Sequence, residues 1–480
     1  MSLSRKALSG FVWTFAQQFG TQFINFVASI ILARVLLPEE FGLIGMLAIF
    51  MSVGNVLING GLTISLIRTE KPDQRDYSTV FFINLTGSCI VYLIIFFTAP
   101  LIADFFRQPT LIAVARVYTL GFIIGAFSSV QLTHLTKKMD FKTELMVQLP
   151  SLIFGALLGI YLAWMGWGVW SLVWMYLCQA LLLSIQLWFT TGWRPDFIFD
   201  KQRFIKHFNF GYKLMLSGLI DTIYNNAYHI IIGRSFSAAQ LGYYTRAMGM
   251  RQLPVQNLAG ALNKVIFPVF SSIQNDNERL KVAYKKIMQQ VVFWVAPTLV
   301  ILGILAEPVF LVLFTDKWLP AVPYFQILCI PGILYPLHAY NLNILNVKGR
   351  SDLFFRLEII KKVFITIGIF FAIPFGIYGL LYFQVISSLF SYFVNSWYSG
   401  RMIGYGMKDQ LRDILPIILL SLITGIFIWF IDAQLLLRLD LNDFARLSIG
   451  ITVYFAVYVS AGVFLKLSTI DDFKQMVFKK

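Results

Sequence analysis

The chain has 480 residues, of which 58% are hydrophobic and only 13% are charged, and its mean hydropathy is +0.72. A water-soluble domain cannot bury that much apolar surface, so the composition excludes a soluble protein and indicates a membrane protein. The net charge of +15 does not indicate nucleic-acid binding, because Lys and Arg are spread between apolar segments. The 3 cysteines lie inside apolar segments, which predicts neither a disulfide framework nor a metal site.

Apolar segments separated by charged residues or by Pro and Gly predict an all-α, polytopic membrane protein of about fourteen transmembrane helices. Each segment can cross about 30 Å of hydrocarbon at roughly 1.5 Å per helical residue. In chain order the predicted spans are 11–35, 41–62, 77–103, 111–133, 145–164, 169–190, 209–233, 240–268, 287–314, 320–346, 359–375, 377–399, 414–436 and 447–466. The loops are too short to form a separate domain, so we expect the function within the bundle or at its rims.

Most Lys and Arg residues of the predicted loops fall on one side of the bundle, and the loops on the other side hold few. Cytoplasmic loops of membrane proteins carry the excess of Lys and Arg. The sequence therefore predicts that both termini face the cytoplasm. The remaining basic residues fall inside predicted spans, where charge is costly and often functional. They are Arg116, Lys213, Arg246, Arg251 and Lys264.

The chain resembles itself at an offset of 200 residues, where the segment from Ile30 aligns with the segment from Ile230. The identical pairs include Asn25/Asn225, Arg34/Arg234 and Gly42/Gly242. This predicts two lobes of six helices, at 1–206 and 207–408, followed by two further helices and a cytoplasmic tail at 409–480. An even number of helices per repeat gives both lobes the same orientation, with the substrate site expected between them. Chance similarity among apolar helices is the alternative.

Polar side chains recur every four residues in the seventh span and at the equivalent positions of the first span. They are Lys213, Ser217, Asp221, Asn225 and His229 in the seventh span, and Trp13, Gln17, Thr21, Asn25 and Ser29 in the first. A four-residue spacing keeps them on one side of a helix, and polar groups facing lipid would be costly. We therefore expect them to line a cavity. The alternative is that they hydrogen-bond neighbouring helices together.

The eighth span carries Arg246, Arg251 and Lys264, and together with Lys213 and Arg234 these cations are spaced through the whole membrane depth. Such a surface attracts an anion, and guanidinium groups pair phosphate oxygens through forked hydrogen bonds. The alternative is that the side chains of Arg246 and Lys264 extend to opposite membrane–water interfaces. Arg251 lies near the middle of the span and cannot easily do so.

Asp221 is the acidic residue at mid-depth and is a candidate for ion coupling. The other possibility is that it pairs with Lys213, eight residues earlier on the same span.

Several motifs are similar to those of a known family. They are LARVLLPEEFGLIGM at 32–46, STVFFINL at 78–85, APLIADFFRQP at 99–109, GWGVWSLV at 166–173, WRP at 193–195, LGYYTRA at 241–247 and NVKGRSD at 346–352. On these motifs the chain resembles the polysaccharide flippases of the multidrug, oligosaccharidyl-lipid and polysaccharide exporter superfamily, especially those exporting repeat units for O-antigen, colanic acid and capsule. The resemblance runs from about residue 5 to residue 365.

The resemblance implies two six-helix lobes around a cleft, two extra helices, and a place in the bacterial inner membrane. It implies an undecaprenyl-pyrophosphate-linked oligosaccharide as substrate, moved from the cytoplasmic to the periplasmic leaflet, with membrane lipids and the polymerase and chain-length machinery as further partners. Its cationic cleft would engage the pyrophosphate. The residues placed to do so are Arg251, Arg246, Lys264, Lys213 and Arg234, with Asn25 and Asn225 beside them. We expect no enzymatic activity, cofactor, metal or nucleic-acid partner.

Three other functions compete with a flippase. An ion-coupled drug antiporter of the same superfamily would need an anionic or mainly apolar cleft. A membrane glycan polymerase or ligase would need a sizeable periplasmic loop. A structural scaffold would leave the Lys and Arg residues inside the spans without a use.

Overall fold

The computed structural model of the chain describes residues 3–59, 61–436 and 441–472, and the side chains of these residues except 3–12 and 256–268. Within these ranges the secondary structure is helical, with no strand. The predicted all-α fold class is therefore confirmed.

The helices follow one another with short connections. They are α1 (Leu3–Val35), α2 (Pro38–Asn59), α3 (Leu62–Arg68), α4 (Gln74–Phe106), α5 (Leu111–Tyr118), α6 (Leu120–Lys138), α7 (Phe141–Trp164), α8 (Val169–Thr190), α9 (Lys201–Asn225), α10 (Ala227–Ser235), α11 (Ala238–Ser272), α12 (Asn277–Ile304), α13 (Ala306–Phe314), α14 (Val322–Val347), α15 (Ser351–Ala372), α16 (Gly376–Ile403), α17 (Met407–Ile431) and α18 (Asp443–Phe464).

Ten helical segments of the described chain are long and apolar enough to cross a membrane. The segment Ser351–Ile403 contains both α15 and α16, joined by a short 3-10 turn. The protein is thus a multi-pass membrane protein, but the predicted number of fourteen spans is not confirmed. α9 is outside the set because its polar and charged residues, which include Lys213 and Asp221 of the predicted stripe, make it too little apolar.

The helices form two compact units, Met1–Gly242 and Tyr243–Lys480, which we call the first and the second unit. α9 and α10 belong to the first unit, where α9 packs on α2, α3 and α4. In the second unit, α14 packs on α12 and α16, and α17 packs on α12. These units are defined by packing, whereas the lobe boundaries at 206 and 408 rest on sequence duplication and stay a prediction.

Aspartate side chains cap the N-termini of several helices. Asp73 accepts a hydrogen bond from the backbone N–H of Asp76 at 2.9 Å, and Asp76 accepts one from the backbone N–H of Asp73 at 3.1 Å. Asp140, Asp200 and Asp276 accept bonds from backbone N–H groups at the first turns of α7, α9 and α12. Such caps satisfy N–H groups that a helix leaves without partners at its start.

A reciprocal contact joins the first turns of α2 and α11. A methyl group on Gly42 would overlap the carbonyl of Ala238, and a methyl group on Gly242 would overlap the carbonyl of Pro38. The 200-residue offset found in the sequence converts one contact into the other, because it pairs Gly42 with Gly242 and Pro38 with Ala238. Contacts of the form i to j and j to i are those that a two-fold axis generates. The segments 38–42 and 238–242 therefore meet as local pseudo-symmetric equivalents, which supports the duplication.

Candidate substrate-binding residues

The polar stripe of α9 is exposed, but it does not continue along one helix. Lys213, Asp221 and Asn225 are exposed, and the Lys213 Nζ lies 5.9 Å from the centroid of the Tyr212 ring. α9 ends at Asn225, and α10 begins at Ala227. His229 lies on α10, after a one-residue interruption at Asn226 across which the four-residue backbone hydrogen bonds continue. Among the residues that the structure describes, Lys213 makes no ion pair, so its predicted alternative pairing with Asp221 is not formed here.

The stripe of α1 is divided between two roles. The Gln17 amide donates to Oε1 of Glu144 at 2.9 Å and to Oε1 of Gln148 at 2.6 Å, and these bonds tie α1 to α7. Thr21 donates to the backbone carbonyl of Gln17 at 2.7 Å. Asn25 is exposed. The helix-joining alternative thus holds for Gln17, while Asn25 stays a candidate for contact with a ligand.

Arg234 contacts the end of α4. Its guanidinium donates to the backbone carbonyl of Phe105 at 2.7 Å, and its Cζ lies 5.2 Å from the centroid of the Phe105 ring. The last carbonyls of a helix lack partners within the helix, and a cation there is favourable. The geometry gives Arg234 a structural contact in the first unit.

Arg246 lies among aromatic rings of the second unit. Its Cζ is 4.9 Å from the centroid of the Phe314 ring and 5.0 Å from that of the Trp318 ring, and both rings are fully buried. A guanidinium at these distances is attracted by the negative faces of the rings. Arg246 is therefore held inside the unit by cation–π contacts.

Arg251 is partly buried in the second unit, with its side chain over Gly332 of α14. A methyl group on Gly332 would lie 3.0 Å from Cγ of Arg251 and 3.2 Å from Cδ. Its Nε is buried, and among the described residues it has no hydrogen-bond partner and the guanidinium makes no ion pair. The ionisable groups near it include those of Tyr244, Cys329, Tyr335 and His338, and none of these is a carboxylate. A cation so placed is stabilised by an anion, and the described residues do not supply one.

Lys264 lies on α11, but its side chain is outside the described residues. α11 runs without a break from Ala238 to Ser272, so its backbone keeps Lys264 and Arg246 in line, five turns apart. Arg251 lies on a different side of the helix, because five residues turn an α-helix by well over one full turn. The three cations of α11 therefore do not all lie on the same side of the helix.

Sequence reasoning missed a buried polar cluster at the ends of α3, α4 and α9. The carboxylate of Asp76 lies 3.0 Å from Nε2 of His207 and forms an ion pair with Arg203. Arg203 also pairs with Asp73 at 2.7 Å, and Nδ1 of His207 lies 2.8 Å from the Ser65 hydroxyl. Asp76 and His207 are fully buried. Hydropathy alone had assigned these charges to solvated loops, and no motif marked them.

The fold is that of known membrane transporters. The structure is similar to a solved structure described as the lipid II flippase MurJ in an inward closed conformation, with a TM-score of 0.77 at 14% sequence identity, covering 95% of this chain and 99% of that one. At this identity the likeness shows the fold alone.

The sequence identifies the family. The family described as polysaccharide biosynthesis protein matches residues 31–323, more than half of the chain, and the chain belongs to that family. It is 25% identical to the teichuronic acid biosynthesis protein TuaB of Bacillus subtilis over 88% of this chain and 89% of that protein. It is 28% identical to the succinoglycan biosynthesis transport protein ExoT of Rhizobium meliloti over 74% of this chain and 72% of that protein.

Proposed function

We propose that the protein is a flippase that moves undecaprenyl-pyrophosphate-linked oligosaccharides from the cytoplasmic to the periplasmic leaflet of a bacterial inner membrane, with both termini in the cytoplasm. The observation that carries the proposal is Arg251, a partly buried guanidinium without a carboxylate partner among the described residues. The same proposal is supported by the family to which the chain belongs, by the transport role in the name of ExoT and by the flippase-like fold.

The physical task explains why cations are needed. A sugar chain and a diphosphate cannot cross hydrocarbon unaided, whereas a prenyl tail remains in the bilayer. In the proposed mechanism the tail stays in lipid while the head group passes through a cleft, and rocking of the lobes alternates access. Arg251 attracts the diphosphate, with Arg246, Lys264, Lys213 and Arg234 as further candidates, and Asn25 and Asn225 offer hydrogen bonds to the head group.

The rival functions fit the side chains less well. A drug antiporter that takes cationic compounds would be opposed by Arg251, because like charges repel in a low-dielectric interior. A polymerase or ligase needs catalytic groups. The outer connections that the structure describes are short, so a transporter without enzymatic activity is the better proposal.

The test is the leaflet distribution of lipid-linked oligosaccharide in cells that lack the protein, complemented with variants. Wild type should restore delivery to the periplasmic leaflet, Arg251→Ala should not, and Arg251→Lys should restore part of it, because the charge remains but the forked geometry is lost. Arg401→Ala is the matched control, since Arg401 is exposed at the end of α16 and contacts the Trp397 ring. An unchanged distribution with wild-type protein would overturn the proposal.

A further inference from the structure

A cavity lies inside the first unit among α2, α3, α6, α7 and α8. Its volume is about 480 Å³, within the range of about 300–1,000 Å³ that is usual for small-molecule sites. Asn, Gln, Ser, Thr and Tyr side chains make up about half of its lining, and no Lys, Arg, His, Asp or Glu of the described chain lines it. Where such a side chain lacks a protein partner, it can hydrogen-bond to water or to a polar ligand.

Four hydroxyl groups of the cavity wall donate their hydrogens within their own helix. Ser128, Thr133 and Thr136 of α6 donate to backbone carbonyls of their own helix at 2.9, 2.8 and 2.9 Å, and Ser151 of α7 does the same at 2.8 Å. What they present to the cavity is their remaining lone pairs, which accept hydrogen bonds. An anion brings only acceptors and gains nothing from these groups. A ligand with hydroxyl donors is the better match.

Amides supply the donors that the hydroxyl groups lack. Asn55 and Asn59 project from α2, one turn apart, and Gln179 projects from α8. The side-chain amides of Asn55 and Asn59 are exposed, and they have no hydrogen-bond partner within the part of the chain that the structure describes. Each amide can donate and accept at once. Neutral amides facing acceptor hydroxyls suit a ligand that carries many hydroxyl groups of its own.

Two aromatic rings at the cavity wall are fixed in place by glycines. The Phe122 ring fills the space beside Gly54, and the Tyr176 ring fills the space beside Gly121, where a methyl group on either glycine would overlap the ring. Both rings line the cavity. Pyranose rings carry apolar C–H faces as well as hydroxyl groups, so a wall that joins amides to aromatic surface matches both.

We propose that this cavity binds sugar residues of the transported oligosaccharide, apart from the cationic residues that engage the diphosphate. The inference rests on the proposed function for the identity of its ligand, and it assigns the neutral part of the head group to a site within the first unit. The cavity thereby contributes to substrate recognition, because hydroxyl patterns differ between sugars while the diphosphate is common to all of them.

Gly125 allows the cavity to be filled without removing a polar group. It lines the cavity, and a Cβ built on it meets no atom within 4 Å. Gly125→Leu should slow delivery of lipid-linked oligosaccharide about ten-fold, since two or three hydrogen bonds to sugar are lost. Gly87→Leu on α4 is the matched control, because a Cβ there also meets no atom within 4 Å and Gly87 does not line this cavity. Wild-type delivery by Gly125→Leu would overturn the proposal.

A chemical readout separates sugar binding from a general defect. Gly125→Cys, with alanine at the native cysteines, should react with a water-soluble maleimide in proteoliposomes. Lipid-linked oligosaccharide extracted from the strain that carries the protein should slow this reaction, whereas undecaprenyl phosphate should not. Equal protection by both lipids, or by neither, would overturn the proposal. If wild type fails to move the lipid-linked oligosaccharide, the proposed function fails, and the labelling still decides whether the cavity binds sugar.

Discussion

The aliphatic stem of Arg251 rests on Gly332, where α14 has no side chain of its own to fill the space. A methyl group at Gly332 would lie 3.0 Å from Cγ of Arg251 and 2.8 Å from Cδ1 of Leu299. Both neighbours are flexible side chains, so a methyl group can be accommodated only if Leu299 shifts and the stem of Arg251 gives way by a few tenths of an ångström. The glycine thereby fixes the position of the guanidinium without touching it.

Gly332→Ala should therefore lower flipping while leaving the protein folded. We expect a loss of several-fold to about ten-fold, because a small displacement of a charged group weakens the contacts that we propose it makes with a diphosphate. The leaflet assay measures the loss, and thermal unfolding in detergent checks the fold. Gly303→Ala is the control, since a Cβ at Gly303 meets Cys329 at 3.7 Å, an ordinary contact. Equal flipping by the two variants would contradict this positioning role.

Gly42→Ala and Gly242→Ala should each destabilise the protein, and by similar amounts. Each added methyl group meets a backbone carbonyl, which cannot move aside as a side chain does. Overpacking costs typically about 1–3 kcal/mol, and a clash with backbone lies at the upper end. Thermal unfolding measures the loss, with Gly249→Ala on α11 as the control because a Cβ there meets no atom within 4 Å. An unchanged unfolding temperature for one of the two variants would show that the two contacts are not equivalent.

Asp76→Ala should destabilise the first unit by about 3–5 kcal/mol, because it removes a fully buried partner of Arg203 and His207. Asp352→Ala is the comparison, since it breaks the exposed pair with Arg350 and should leave the unfolding temperature unchanged. The expected result is a clear fall in the unfolding temperature for Asp76→Ala alone. Equal temperatures for both variants would mean that the buried cluster contributes no stability.

Asp221→Asn tests ion coupling on α9. If the carboxylate couples flipping to an ion gradient, the variant should flip at a rate that no longer responds to collapse of the proton or sodium gradient. Wild type measured with and without ionophores supplies the reference. A variant that responds to the ionophores as wild type does would remove Asp221 from the coupling mechanism.

The sequence predicted the features that depend on composition. The apolar spans follow from the hydrophobic effect acting on local stretches of chain, and Arg251 stood out because a charge inside such a stretch is costly. The 200-residue offset paired Gly42 with Gly242 but did not predict that each packs against the backbone of the other segment.

The remaining features depend on distant parts of the chain. The rings of Phe314 and Trp318 contact Arg246 although they lie more than sixty residues later in the sequence. No local sequence pattern predicts such a contact. The interruption between α9 and α10 at Asn226 carries no proline or glycine, so the sequence did not predict it.

The contact between Gly42 and Ala238, and its counterpart between Gly242 and Pro38, is made by main-chain atoms. Side chains can diverge after a gene duplication as long as the packing they leave is acceptable, but a place where two backbones touch tolerates only the smallest residue. Such a contact therefore constrains the residue type at positions 42 and 242 and places little constraint on the surrounding side chains. Positions 42 and 242 are therefore expected to keep glycine even where the neighbouring residues of the two segments differ.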